Sequence, residues 1–314
     1  MNSIVGHVET IGPYLFRKVK GISLKTIRLN TLDDDFLDVD YLINPESDNF
    51  VFICHGLEGS ARQSYVLGVA RYFYERGFSV VAPNYRSCSG EINLRPRFYH
   101  SGETTDIDFV VKKVLNIFKV NQLFFVGFSL GGNMITKYFG EKGEKLHSKI
   151  SGGAVFSVPL DLKGGSKILN KKFNKVYEQN FLLTLKKKIL VKKRKRIITN
   201  EIDFMRAMKV GSIWQWDELV TAPLHGFESA DDYYEKNSGN NFISKVRRPL
   251  YIANAVNDPI LTEGAFLDEE SLNEYVEFKK LTRGGHVGFL NFKKFQSAAR
   301  SEKLAFDFFE KINS

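Results

Sequence analysis

Short apolar runs separated by longer amphipathic stretches alternate along this chain, and the alternation predicts β-α-β units around a largely parallel sheet. Ser23 to Arg28 and Phe36 to Leu42 read as an opening pair of strands joined through the turn-forming cluster TLDDD. Asn49 to Gly56 (NFVFICHG) is almost continuously apolar, as a strand buried on both faces requires. Tyr65 to Arg76 carries helical periodicity, and Phe78 to Ala82 is the next buried strand. A helix follows over Glu103 to Phe118, capped near Ser101 or Gly102, with Glu103, Asp106 and Asp108 in turns where the helix dipole favours acids. Leu123 to Gly127 is a strand, Leu130 to Phe139 a helix and Ile150 to Ser157 a strand.

The rhythm breaks from about Asp161 to Lys245, where basic and aromatic stretches carry few strand signals. Pro249 to Pro259 restores a buried strand, Glu274 to Leu281 supplies the last one, and Phe295 to Ile312 is an amphipathic helix that closes the sheet. The expected organisation is a core formed by residues 1–160 and 246–314, with residues 161–245 inserted as a helical cap or lid.

Composition narrows the function classes. Hydrophobic residues at 43% and charged residues at 26% are ordinary for a globular protein and argue against disorder or a membrane bundle. At 314 residues a single core needs no staples. Cys54 and Cys88 form neither a disulfide framework nor a zinc-ligand spacing. With no signal-peptide pattern and no apolar run long enough to span a bilayer, the default expectation is a cytoplasmic protein. The net charge of +9 resembles a nucleic-acid signal until it is located: Lys186 to Arg196 (KKKILVKKRKR) contributes eight positive charges and no negative ones. The remainder is nearly neutral, so no nucleic-acid partner is expected. Basic and apolar residues mixed over Leu182 to Ile198 suit peripheral contact with an anionic lipid surface; a solvated helix face is the plainer alternative.

The chemistry starts at Gly127-Phe128-Ser129-Leu130-Gly131, between an apolar strand and a helix. In so tight a turn the serine is forced into a strained conformation, glycines relieve crowding on either side, and the hydroxyl is lifted above the sheet. The five-residue string alone is weak, and an idle serine in a glycine-rich turn is the bland reading. Two later features strengthen the other reading. Asp258 follows the strand LYIANAV in Asn257-Asp258-Pro259, and His286 lies in Arg283-Gly284-Gly285-His286 after the last strand. The chain order Ser, acid, His is that of an α/β-hydrolase triad, in which histidine takes the serine proton and the acid fixes its tautomer. Glu263 and Asp268 are competing acids further from the strand end. The loop His55-Gly56-Leu57-Glu58-Gly59-Ser60 offers a second backbone N–H, assigned to Leu57, to join that of Leu130 in an oxyanion hole. The His55 ring is expected to organise this loop without moving protons. Trp214, Trp216 and Phe227, with Tyr233, are candidates for an apolar acyl pocket beneath the cap, or for cap core.

Taken together, His7-Val8-Glu9-Thr10-Ile11, HGLEGS, Asn84 to Gly90 (NYRSCSG), YHSGETTD (Tyr99 to Asp106), GFSLGGN and TAPLHGFESADDYY (Thr221 to Tyr234) resemble the YheT-like branch of the α/β hydrolases over almost the whole chain. The resemblance implies a mostly parallel central sheet flanked by helices, and carboxylic ester hydrolysis with Ser129, Asp258 and His286 as the triad. Ser87 departs from the glycine frequent after this arginine, and no counterpart of the membrane anchor of several eukaryotic relatives is expected, so membrane residence and lipid specificity are not carried over. The expected enzyme is a serine carboxylesterase or lipase for short- to medium-chain or lipid-like small-molecule esters, needing no metal or organic cofactor. Transfer of the acyl group to an alcohol or thiol would use the same triad and stays open, as does a silent binding module that retains the fold. A serine in the elbow disfavours enzymes with an aspartate nucleophile.

Overall fold

A computed structural model of the chain describes residues 3–197, 202–289 and 299–314. Its centre is an eight-stranded sheet of order β1-β2-β4-β3-β5-β6-β7-β8. The strands are β1 (Lys25–Asn30), β2 (Phe36–Leu42), β3 (Asn49–Cys54), β4 (Ser79–Pro83), β5 (Gln122–Phe128), β6 (Ile150–Phe156), β7 (Leu250–Ala255) and β8 (Val276–Leu281). The hairpin β1-β2 is antiparallel and attaches antiparallel to β4; β3 to β8 all run parallel.

The period of two along β3 explains how the sheet is covered. Phe50 and Phe52 face a layer built by helices α3 (Thr104–Ile117) and α4 (Leu130–Lys142), where Ile107, Val110, Met134 and Ile135 are buried. Val51 and Ile53 face the opposite layer, where α2 (Ser64–Tyr74) and the C-terminal helix contribute Val66, Val69, Phe73 and Phe309. With both faces covered, the strand has no polar face, which is why its run reads as continuous.

An N-terminal helix, α1 (Ser3–Phe16), has no counterpart among the sequence expectations. Its apolar residues point outward, so its pattern does not mark a buried face. Between Asp161 and Lys245 the described residues are helical or irregular. They form α5 (Leu162–Leu169), α6 (Lys175–Arg194), α7 (Phe204–Lys209) and α8 (Ile213–Trp216), a π-type turn over Asp217–Thr221, then α9 (Ala222–His225) and α10 (Ala230–Asn237). These helices share an apolar cluster around Leu182, Leu185, Ile189, Ala207, Trp216 and Val220. The closing helix, α11 (Arg300–Asn313), starts later than the periodicity suggests; positions 295–298 of the expected helix, like Ile198 of the basic segment, lie outside the described residues.

One cap differs from expectation. Neither Ser101 nor Gly102 caps α3: the Glu103 carboxylate accepts the N–H groups of Thr105 and Asp106. Beside it, the almost fully buried Arg86 pairs with Asp33, Asp35 and Asp106, tying the β1-β2 loop to the start of α3.

Candidate active site

The crossover from β5 into α4 turns at Ser129, whose φ of 51° and ψ of −123° no ordinary side chain adopts without strain. Close packing imposes the turn. A Cβ on Gly131 would stand 2.4 Å from the His55 carbonyl oxygen, and one on Gly127 would meet Ile135 at 2.5 Å. Both flanking positions therefore demand glycine, and the backbone between them carries the serine above the sheet's C-terminal edge, at the N-terminus of α4.

The Ser129 hydroxyl lies 2.8 Å from Nε2 of His286, and His286 Nδ1 lies 2.8 Å from Oδ2 of Asp258. Asp258 is fully shielded, and its Oδ1 accepts the Ile260 N–H at 2.9 Å, so the carboxylate holds the ring in the tautomer with hydrogen on Nδ1 and leaves Nε2 free to accept. Sequence order and space thus bring the three residues into one hydrogen-bonded line. Leu57 and Leu130 border the same cavity as Ser129 and His286, together with Pro159, Leu162, Leu169, Phe181 and Ile260. The space measures ≈ 80 Å³ and is mainly apolar.

The His55 ring stands back from this line. Its Nδ1 donates to the Gly56 carbonyl at 2.8 Å, and its Nε2 accepts the Tyr85 N–H at 3.2 Å. Burial pushes its pKa down to about 3, so it is a neutral brace between the loops after β3 and β4.

None of the aromatic pocket candidates borders the cavity beside Ser129. Trp214 is partly exposed, with Nε1 near Asp231; Trp216 packs into the apolar cluster under α6; Phe227 meets His100 edge-on and Tyr233 at a tilt around a different space. The helical turn explains the miss: Ile213 and Asp217, four residues apart, occupy the face directed at the cavity, and the tryptophans lie off that face. Asp217 is the residue the sequence did not flag. It accepts hydrogen bonds from Thr221 at 2.6 Å and Tyr234 at 2.7 Å, and burial raises its pKa to about 6 against the pull of those donors.

Glu9 of α1 was flagged only through the resemblance. Its carboxylate accepts from Asn257 at 2.6 Å, from Arg283 Nε at 2.7 Å and from the Gly284 N–H at 3.0 Å. The neighbouring Thr10 hydroxyl accepts the N–H of His286 itself at 2.8 Å. One turn of α1 therefore fixes both late loops, the one with Asp258 and the one with His286.

A second cavity of ≈ 600 Å³ is bordered by Arg97, His100, Glu103, Lys137 and His225. The ligand atoms of His100, Glu103 and His225 lie within 4.8 Å of one another, the spacing of a possible metal site. Their existing bonds argue otherwise. Glu103 caps α3 and pairs with Arg97, while His100 Nδ1 accepts the Gly102 N–H at 3.2 Å, which leaves its proton on Nε2, directed at Glu103. A cation would have to displace Arg97 and that proton.

Comparison with known proteins agrees with this architecture. The family model described as alpha/beta hydrolase fold matches residues 49–292. The chain is 32% identical over 287 residues to "Putative esterase YheT" of Escherichia coli (strain K12), covering 90% of this chain and 84% of that protein. It is 30% identical to Phospholipase ABHD3 of Mus musculus over 80% of this chain, and 26% identical to a Monoacylglycerol lipase of Saccharomyces cerevisiae over 79%. It spans only 60% and 56% of the length of those two proteins. Among solved structures, the Pyrococcus furiosus esterase Pf2001 superposes with a TM-score of 0.61 at 15% identity, over 94% of this chain and 96% of that one, a likeness of fold. These relatives are named as an esterase, a phospholipase and a lipase, the sheet is mostly parallel and flanked by helices as expected, and the chain belongs to the α/β-hydrolase family, on its YheT-like branch.

Proposed function

We propose that this protein is a serine carboxylic ester hydrolase in which Ser129 is the nucleophile, His286 the general base and acid, and Asp258 the residue that orients the ring. The observation that carries the reading is the line of two 2.8 Å contacts from Ser129 through His286 to Asp258, anchored on a strained elbow. Ser129 Oγ attacks the ester carbonyl carbon as its proton passes to His286 Nε2. Negative charge grows on the carbonyl oxygen, where the N–H groups of Leu57 and Leu130 and the N-terminus of α4 favour it. The tetrahedral intermediate collapses, the C–O bond to the alcohol breaks, and His286 returns the proton to that alcohol. A water deprotonated by His286 then attacks the acyl-serine, releasing the acid and regenerating the hydroxyl.

Residues 161–245 act in this reading as the cap, with Leu162, Leu169, Phe181 and Ile213 selecting the acyl chain and Asp217 adding one polar contact. Small-molecule esters with short or medium acyl chains or lipid-like character are the substrate class that suits such walls. The test is a fluorophosphonate probe together with nitrophenyl esters of increasing chain length. Wild type is labelled and hydrolyses the short members, and Ser129→Ala loses the label and about 10⁵-fold or more of the activity. Labelling of both proteins would overturn the assignment.

A further inference from the structure

Helix α1 is amphipathic in the inverted sense. Its inner face carries Gly6, Glu9 and Pro13, all buried, and the polar groups there bind the two late loops. Its outer face carries Ile4, Val8, Ile11 and Leu15 at spacings of four, three and four, with exposures of 75, 53, 40 and 59%. Tyr14 and Phe16 extend the exposed set at its end. His7 then links this stripe to the neighbouring helix, stacking on Tyr177 and lying 6.0 Å from the exposed Phe173. On α6 the outward positions continue as Val176 and Leu183, each 67% exposed, and end in the exposed Lys187, Arg194, Lys195 and Arg196. Nine of the fifteen large apolar side chains exposed among the described residues belong to α1 and the segment Phe173–Leu183. Such concentration marks an interaction surface.

Charge identifies the occupant. The single acid of α1, Glu9, and the single acid of α6, Glu178, are both buried, so the outward faces of the two helices present apolar, neutral polar and basic groups and no acid. Lys18 and Lys20 are exposed just beyond α1. Three of the eight basic residues in Lys186–Arg196 are spent internally: Lys186 donates to the Val210 carbonyl, Lys188 to Glu58, and Lys192 to the carbonyls of Arg95, Pro96 and Arg97. The basic segment therefore supplies outward charge at Lys187 and at its tip, and the apolar contact lies elsewhere, on α1 and the start of α6. We infer that this composite face docks on an anionic lipid surface, with the stripe of α1 entering the headgroup boundary and the tip of α6 meeting phosphate. Since α1 also holds the loops of Asp258 and His286, a docked enzyme would present its cavity close to that surface.

The inference deepens the proposed ester hydrolysis by naming where its substrate is met, but its test needs no turnover. The full chain is floated with vesicles of phosphatidylcholine alone and of phosphatidylcholine with phosphatidylglycerol. Wild type is expected to float with the anionic vesicles, and Ile4→Gln/Val8→Gln/Leu15→Gln to partition at least about tenfold less. Arg194→Gln/Lys195→Gln/Arg196→Gln should retain residual binding with a weaker dependence on the anionic lipid. Hydrolysis of a water-soluble nitrophenyl ester by both variants should stay within about twofold of wild type, which separates lost docking from a damaged fold. Failure of wild type to float, equal flotation of the apolar triple variant, or a dimer in gel filtration that the triple variant abolishes would each overturn the inference. Flotation without fluorophosphonate labelling would sink the hydrolase reading and leave the docking face standing.

Discussion

Two histidine–carboxylate pairs lie among the described residues, and they differ in which ring nitrogen is left over. In the pair His286–Asp258 the carboxylate takes the hydrogen on Nδ1, and Nε2 opens toward a hydroxyl and a cavity. In the pair His100–Glu103 the backbone N–H of Gly102 occupies Nδ1, Nε2 is turned into the carboxylate, and that carboxylate is already shared with Arg97 and the start of α3. Burial drives His100 down to about 3, with His225 adding to the effect, so its ring is neutral. A histidine beside an acid is thus not by itself a catalytic unit. The other donors held by the carboxylate and the free side of the ring decide the matter.

The sharpest way to break this contrast is Asp258→Asn, which keeps the shape and offers N–H where the ring needs an acceptor. The wrong tautomer should cost about 10⁴-fold in kcat with little change in melting temperature. If activity falls only a few-fold, the pair resembles His100–Glu103 more than the geometry implies. The mirror experiment is Glu103→Ala. Its expected cost is stability, about 1–3 kcal/mol by urea unfolding, from the lost cap and the stranded Arg97, with kcat/KM for a soluble ester reduced by no more than severalfold. A drop of several orders of magnitude there would give the second cluster a chemical role.

Asp217 supplies the smallest effect. Its carboxyl titrates at about 6 in the folded protein, above its ordinary value near 4, so between these two pH values the folded state holds a proton that the unfolded chain releases. Stability contributed by this group is therefore present at low pH and lost as pH rises through that window, by at most about 3 kcal/mol. Asp217→Asn keeps the shape and one acceptor oxygen, its NH₂ standing in for the proton of the neutral acid, and should melt a few degrees above wild type at pH 7.5 and level with it near pH 4. An offset that does not change with pH would remove Asp217 from this account.

Much of the fold was legible because its signals are local. The continuous apolar run of β3, the glycines about Ser129 and the chain order of Asp258 and His286 each depend on a few neighbouring residues, and the sheet then brings them together. The pocket was less legible because it depends on helical phase. A π-type turn begins at Asp217, and a shift of one position there decides whether Trp216 or Asp217 faces the cavity. Helix α1 was missed for a related reason: its buried face is Gly6, Glu9 and Pro13, which looks like a loop to any reading that expects apolar residues inside. The cap of α3 shifted to Glu103 because a carboxylate accepting two backbone N–H groups, with Arg97 at hand, outcompetes the serine upstream.

Lys188 and Lys192 bear on how freely such a protein can be remade. The first lysine grips Glu58, one residue beyond the backbone N–H assigned to Leu57, and the second plugs the carbonyls of Arg95 to Arg97. Residues 161–245 are consequently not a detachable module resting on a finished scaffold. Exchanging them for a foreign segment would leave the buried Glu58 with the Tyr99 hydroxyl but without its counter-charge, and a row of carbonyls without the lysine donor, so substrate range is more readily altered through side chains that line the cavity, with the two lysines kept in place.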